Sequence, residues 1–395
     1  MQEYKIKLVN DTITQDDVKK LSEWLLTNPR LTKGEKTVEF ENFWSKWQER
    51  KHTVFMNSGS SANLAMIYAL MLSGRLKNKK IIVPAVSWVT TVSPVIQLGL
   101  EPIMCDADRH TLGLDIDHLK ALIKLEKPAV IILVHVLGFP NKMKEIQELC
   151  KENNIILLED SCESMGSMYD GIKTGNFGLM SSFSTYFGHH FSTIEGGMVN
   201  TDDEELYHIL LSIRSHGWDR DLPEKERRRL REEEGVSEFR ALYTFYYPGF
   251  NLRSTDLQAF IGIEQLKRLN EIVKIRNKNF KLYDSLVDEK YYWKIRERDN
   301  TFVSNFAYPI IMRYSELWKN DQKFNELITK LQNNGVEIRP LVCGSIGEQP
   351  FWKKMYKRQH TPFATMVHNN GLYLPNNPQI KEEEIEFICN IINKI

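Results

Sequence analysis

Through the first half of the chain, short apolar runs alternate with stretches whose apolar residues recur at helical spacing. KKIIVPAV (79–86), PAVIILVHV (128–136) and NNIILLED (153–160) are brief, continuous and rich in β-branched residues, and predict buried strands. NKMKEIQELCKE (141–152), between the last two, has the periodicity of an amphipathic helix. Strand, helix, strand at this spacing is a βαβ unit and predicts a mostly parallel sheet. Ligands of such sheets gather at the carboxyl ends of the strands. The acids that close NNIILLED therefore stand where a ligand can reach them.

The second half reads differently. DLQAFIGIEQLKRLNEIVKIRNKNFKLYDSLV (256–287) is one long amphipathic stretch. SNFAYPIIM (304–312) and VEIRPLV (336–342) predict strands, with FNELITKLQNNG (324–335) a helix between them and a last helix over 381–395. The expected organisation is a large α/β domain over 1–255 and, over 256–395, a connecting helix with a smaller α+β domain. Between them DRDLPEKERRRLREEEGVSEF (219–239) is dense in both charge signs. It suits a solvated, ion-paired helix or loop; a lid, or an arm reaching a neighbouring subunit or a phosphate, is the other reading.

Charge and composition narrow the function. The 395 residues hold 52 Lys plus Arg against 52 Asp plus Glu, so no net field points to nucleic acid or a membrane surface as partner. MQEYKIKLVNDT is charged from the start, without a signal-peptide core. No apolar run approaches the roughly 20 residues of a membrane span, and a cytoplasmic protein is expected. Cys105, Cys150, Cys162, Cys343 and Cys389 are widely spaced. They predict reduced, buried thiols rather than a zinc or iron–sulfur site, and no metal is expected.

Three segments carry chemistry. MNSGSSANLAMIYAL (56–70) sets small hydroxyl residues and Gly59 before a helix, which suits an anion site at the helix N-terminus or a plain N-cap. LLEDSCESMG (157–166) puts Asp160 just past a strand and Glu163 a short turn later, as partner for a cationic ring nitrogen or as a capping acid. SSFSTYFGHHFSTIEGGMVNTDD (181–203) places His189 five residues after Ser184 and two glycines, Gly196 and Gly197, beyond it. Adjacent histidines seldom converge on one ion, and polar loop histidines remain the alternative.

Taken together these segments resemble the sugar aminotransferase family named after DegT, DnrJ, EryC and StrS. The resemblance runs from EFENFWSKWQERKHTVFMNSGSSANLAM through VPAVSWVTTVSPVIQLGLEPIMCDAD, LEDSCESMG, SFSTYFGHHFSTIEGGM and RSHGW to PGFNLRSTDLQAFIGIEQL. It implies the fold-type-I aminotransferase architecture, pyridoxal or pyridoxamine 5'-phosphate as cofactor, and a homodimer with shared active sites. Gly59, Ser60 and Ser184 match phosphate-binding positions, and Trp88 the aromatic residue stacked on the cofactor ring. Asp160 matches the partner of the ring nitrogen, which keeps the ring an electron sink. Glu163 stands where glutamine is frequent, and Asn251 matches an asparagine reaching the neighbouring subunit's phosphate. His135 and His216 match positions near the substrate, with structural hydrogen bonding the alternative for each. Arg253 and Arg339 suit a carboxylate or diphosphate, or surface ion pairs. His190 is expected to support its neighbour.

One departure redirects the function. The family's ordinary lysine position holds His189, the pattern of a subgroup of keto-deoxysugar 3-dehydratases. Lysine bonds covalently to the cofactor aldehyde; imidazole does not, but can act as general base and acid. The implied reaction removes the C3 hydroxyl of a GDP-linked 4-keto-6-deoxysugar, releases ammonia and takes its amino group from glutamate. A second dehydratase type in the subgroup uses an iron–sulfur cluster held by close cysteines, which this chain lacks. A 4-aminotransferase, a dehydratase for another nucleotide or a longer sugar, and an inactive sugar-nucleotide binder are the alternatives.

Overall fold

The computed structural model describes residues 4–313, 320–357 and 359–394; Ile395, where the last helix was expected to end, lies outside them. Seven strands form the main sheet, in the spatial order His52–Met56, Gly197–Thr201, Met180–Ser184, Ile156–Asp160, Val130–Val134, Lys80–Pro84, Glu101–Cys105. Only Gly197–Thr201 runs antiparallel to its neighbours. The three apolar runs are thus strands, and helix Met143–Glu152 crosses between two of them. Val130–Val134 is buried along its whole length, as expected of a parallel strand covered on both faces.

Helix Gly59–Leu72 packs on the strands Met180–Ser184 and Gly197–Thr201 and on helices Val89–Gln97 and Glu204–Arg214. Its mostly apolar sequence suits this: Ala62, Ala65, Met66, Ile67, Ala69 and Leu70 are all buried. The helix starts beside the sheet's carboxyl edge, where Ser58 caps it by accepting from the Ser61 amide at 3.0 Å.

The C-terminal half holds a three-stranded antiparallel sheet in the order Tyr308–Ile311, Gly371–Leu374, Arg339–Pro340. Two expectations change here. The stretch 256–287 is two helices, Asp256–Leu266 and Leu269–Leu286. They part where the Arg268 side chain is drawn to Asp17, 2.6 Å away, and to the Thr12 carbonyl. The strand expected over 336–342 shrinks to Arg339–Pro340, because Val336 pairs instead with Ile6 of the N-terminal segment. That segment lies against the C-terminal half: Glu337 N–H donates to the Ile6 carbonyl at 2.9 Å and Asn377 donates to the Lys7 carbonyl at 2.9 Å.

The charged stretch forms helix Glu224–Glu233, which has no buried residue. Arg229 bridges Glu226 and Glu233, both at 2.6 Å, and Arg231 pairs with Asp219 at 2.7 Å. Its local charge pattern is satisfied within the segment, as for a solvated helix. No described helix is long and apolar enough to cross a membrane.

Candidate active site

A cleft of about 870 Å³ opens at the carboxyl edge of the sheet, within the size range of ligand pockets. Its walls come from the N-terminal segment 7–11, the start of helix Gly59–Leu72, the turns after Pro84, Asp160 and Ser184, and the C-terminal segments around 306 and 337–342.

Tight packing shapes one end. A β-carbon on Gly59 would fall 2.5 Å from the Ser184 β-carbon, so only glycine lets the helix start and Ser184 face each other. A β-carbon on Gly197 would lie 2.3 Å from the Ser58 carbonyl carbon, which explains the second glycine of the pair: it seats the turn before the helix. Gly59, Ser60 and Ser184 all line the cleft. Free backbone amides and hydroxyls at a helix N-terminus suit a phosphate.

Asp160 sits at the other end of this wall, 3% exposed. Its Oδ2 accepts from Asn63 Nδ2 at 2.8 Å and Thr91 Oγ1 at 2.7 Å, and its Oδ1 from the Cys162 amide at 3.1 Å. Three donors hold the carboxylate in place beside the cavity, where it suits a cationic ring nitrogen. Trp88 stands 55% exposed at the N-cap of helix Val89–Gln97 and lines the cleft, an uncovered aromatic face for a planar group. Phosphate cradle, ring-nitrogen acid and stacking face thus occur in one cleft, and they fit a phosphorylated pyridine.

His189 lines the same cleft. Its Nδ1 is buried without a partner among the described residues, and its ring packs against Phe306 with centroids 5.3 Å apart. Burial pushes the imidazole down to about 4, partly countered by Asp160, so the ring is neutral near pH 7 and its lone pair is free to accept a proton. His190 is buried and meets the Ser304 hydroxyl at 2.9 Å. Glu163 accepts from the Leu137 amide at 2.7 Å, a bond that Leu137 supplies from a left-handed conformation, φ 51°. Burial pushes the Glu163 carboxyl up to about 7; the Leu137 amide pulls against this and Asp160 adds to it.

The remaining sequence candidates separate. His135 does not face the cleft. It is fully buried, with one ring nitrogen 3.0 Å from Glu159 and the other accepting from the Asn141 amide at 3.2 Å. Both nitrogens are taken, so the expected substrate contact gives way to a structural one. Arg339 lines the rim and pairs with Glu337 at 2.7 Å. His216, Asn251 and Arg253 form a group of their own that is not part of the cleft lining but adjoins it, since Arg253 pairs with Met56 and the Leu252 carbonyl accepts from the Asn57 amide just before Ser58: Arg253 Nε donates to Asn251 Oδ1 at 3.0 Å and its Nη2 lies 3.4 Å from His216.

Sequence reading missed Asn63, Thr91, Phe306 and the wall formed by residues 7–11. Asn63 carried a signal, a polar residue on an otherwise apolar helix; the others carried none. Among the described residues no group of three or more potential metal ligands converges.

Comparison with known proteins agrees with this geometry. A model of the DegT/DnrJ/EryC1/StrS aminotransferase family matches residues 11–393. A GDP-4-keto-6-deoxy-D-mannose 3-dehydratase from Yersinia pseudotuberculosis is 36% identical over 376 residues, covering 94% of each chain. The structure of the E. coli GDP-4-keto-6-deoxy-D-mannose-3-dehydratase with bound hydrated PLP superimposes with a TM-score of 0.91 at 34% identity, over 99% of this chain and 100% of that one. A GDP-4-keto-6-deoxymannose-3-dehydratase with a trapped PLP-glutamate geminal diamine gives 0.89 at 34% identity, over 98% and 100%.

Proposed function

Because the chain belongs to the DegT/DnrJ/EryC1/StrS aminotransferase family, with the fold-type-I architecture, we propose that it is a pyridoxamine-phosphate-dependent 3-dehydratase of a GDP-linked 4-keto-6-deoxysugar. The product is the 4-keto-3,6-dideoxysugar with release of ammonia, and glutamate restores the cofactor amine. The observation that carries this reading is the identity of the base in the cleft. His189 lines it beside Asp160, and among the described residues the one lysine in its lining is Lys7, exposed on the N-terminal segment.

Bound pyridoxamine phosphate supplies an amine for the sugar ketone and a ring that accepts the electrons released at its methylene carbon. Asp160, held by Asn63, Thr91 and the Cys162 amide, keeps the ring nitrogen protonated. Gly59, Ser60 and Ser184 would hold the phosphate, and Trp88 would cover a ring face. His189 takes the methylene proton as a neutral base, then returns a proton to the departing C3 oxygen. An imidazole cannot bond to the cofactor and displace the sugar from it as a lysine amine can, so water would complete the reaction by hydrolysing the carbon–nitrogen link.

The enzyme is also proposed to be a homodimer with shared sites. Within one chain the cleft lining holds Lys7 and Arg339 against the carboxylates of Asp11, Asp160, Glu163, Glu195 and Glu337. That balance is wrong for a nucleotide diphosphate. His216, Asn251 and Arg253, grouped outside that lining, are the polar set that a second copy would bring. Tyr186, Phe187 and Ile194, exposed around the cleft turn, are the apolar rim it would cover.

The test is His189→Asn. The variant should fold and bind the amine cofactor as the wild type does, with dehydration slowed by about a hundredfold or more, the scale of lost general acid–base catalysis. Wild-type turnover in this variant would refute the assignment.

A further inference from the structure

Helix Leu269–Leu286 carries a buried cation that the chemistry above does not use. Arg276 is 3% exposed and forms no ion pair among the described residues; burial lowers its guanidinium to about 9. Instead of a carboxylate it meets backbone carbonyls. Its Nη1 donates to Asn376 at 2.6 Å, to Phe306 at 2.8 Å and to Asn305 at 3.4 Å, and its Nη2 to His189 at 3.4 Å.

The cluster extends to the far wall of the cleft. Asn376 Nδ2 donates to the carbonyls of Arg276 and Asn305, both at 3.1 Å, and to Asn305 Oδ1 at 2.9 Å. Asn305 Nδ2 donates to the Leu137 carbonyl at 2.8 Å, and the Leu137 amide is the one that holds Glu163. Phe306, whose carbonyl Arg276 takes, is the ring that packs on His189.

An unpaired buried cation is costly, and a neutral apolar side chain would fill the same space without that cost. What an apolar side chain cannot do is bind converging carbonyl oxygens from separate segments. A planar guanidinium does so with a rigid fork of donors; an ammonium does not reproduce that geometry.

We propose that Arg276 is a positioning residue for the dehydration: it fixes the backbone at His189 and at Phe306 from behind, and so aims the imidazole into the cleft. The proposal rests on His189 being the acid–base group. Asp160 and the Cys162 backbone favour the protonated ring and the Arg276 charge itself disfavours it; Arg276→Lys keeps that charge and removes the fork that sets where the ring is.

The experiment is a double-mutant cycle on the cofactor-loaded enzyme, with Arg276→Lys made alone and in His189→Asn. Alone, Arg276→Lys should lower kcat by roughly tenfold or more, the scale of a small misplacement of a reacting group. KM for the sugar nucleotide and the dissociation constant of pyridoxamine phosphate should stay within about twofold. In His189→Asn the same change should have no further effect, because the group it positions is gone. Nitrogen NMR of the cofactor-free protein should show the His189 imidazole signals displaced in Arg276→Lys. If Arg276→Lys fails to fold, Phe306→Leu enters the same cycle with the same expectation. Wild-type kcat in the single variant, or equal losses in both backgrounds, overturns the proposal while leaving the dehydratase reading intact. Full activity in His189→Asn removes both.

Discussion

Gly59 and Ser184 face each other so closely that a methyl group on Gly59 would sit 2.5 Å from the Ser184 β-carbon. This contact joins the start of a helix to the end of a strand and defines the cradle assigned to the cofactor phosphate. Gly59→Ala should therefore push the two walls apart. The expected result is an approximately tenfold or greater weakening of pyridoxamine phosphate binding, the scale of one to two lost hydrogen bonds to a charged group. Fluorescence titration measures it; an unchanged dissociation constant would place the phosphate elsewhere.

Glu163 gives a pH signature. The fold holds its carboxyl up to about 7, first through burial, against an ordinary 4.5. The neutral form is thus the one the folded state favours. Its contribution to stability is full below 4.5 and is lost as pH rises through about 7. Glu163→Gln, which imitates the neutral acid at every pH, should gain in melting temperature relative to wild type between about pH 5 and pH 8 in the cofactor-free protein. A difference that stays flat across this range would mean the carboxyl ionises normally.

Much of this was legible in the sequence, for identifiable reasons. The parallel sheet announced itself because strands buried on both faces must be continuously apolar, as in PAVIILVHV. Asp160, Ser184 and His189 were singled out by the family resemblance rather than by spacing alone, and the fold brings all three to one cleft. The break at Arg268 was hidden because nothing in the local periodicity marks it; the residue's partner there, Asp17, is about 250 residues away in sequence. The wall made by Lys7–Asp11, and Phe306 against His189, are likewise contacts between distant segments. His135 was open in the sequence between a substrate and a structural role for the same reason: its partners, Glu159 and the Asn141 amide, are fixed only by the fold.

The proposed shared-site assembly predicts complementation. His189→Asn damages the base contributed by one chain, and Arg253→Ala damages the polar group contributed by the other. Each homodimer should be nearly inactive. Mixed after dissociation and reassociation, the two should form heterodimers in which one site has both wild-type parts, so activity should return to about a quarter of the wild-type level by random pairing with one intact site in each heterodimer. Sedimentation should show a dimer throughout. No recovery from a confirmed heterodimer would mean that His189 and Arg253 serve the same site from the same chain.

The most direct measurement is the mass of the sugar nucleotide after incubation of the protein with pyridoxal phosphate, glutamate and GDP-4-keto-6-deoxymannose, with ammonia and 2-oxoglutarate assayed alongside. A dehydratase working through His189 yields a product lacking one oxygen atom, with ammonia and 2-oxoglutarate formed in equal amounts to it. A product that keeps its C3 oxygen and carries an amino group at C4, with no free ammonia, would contradict the account and identify an aminotransferase.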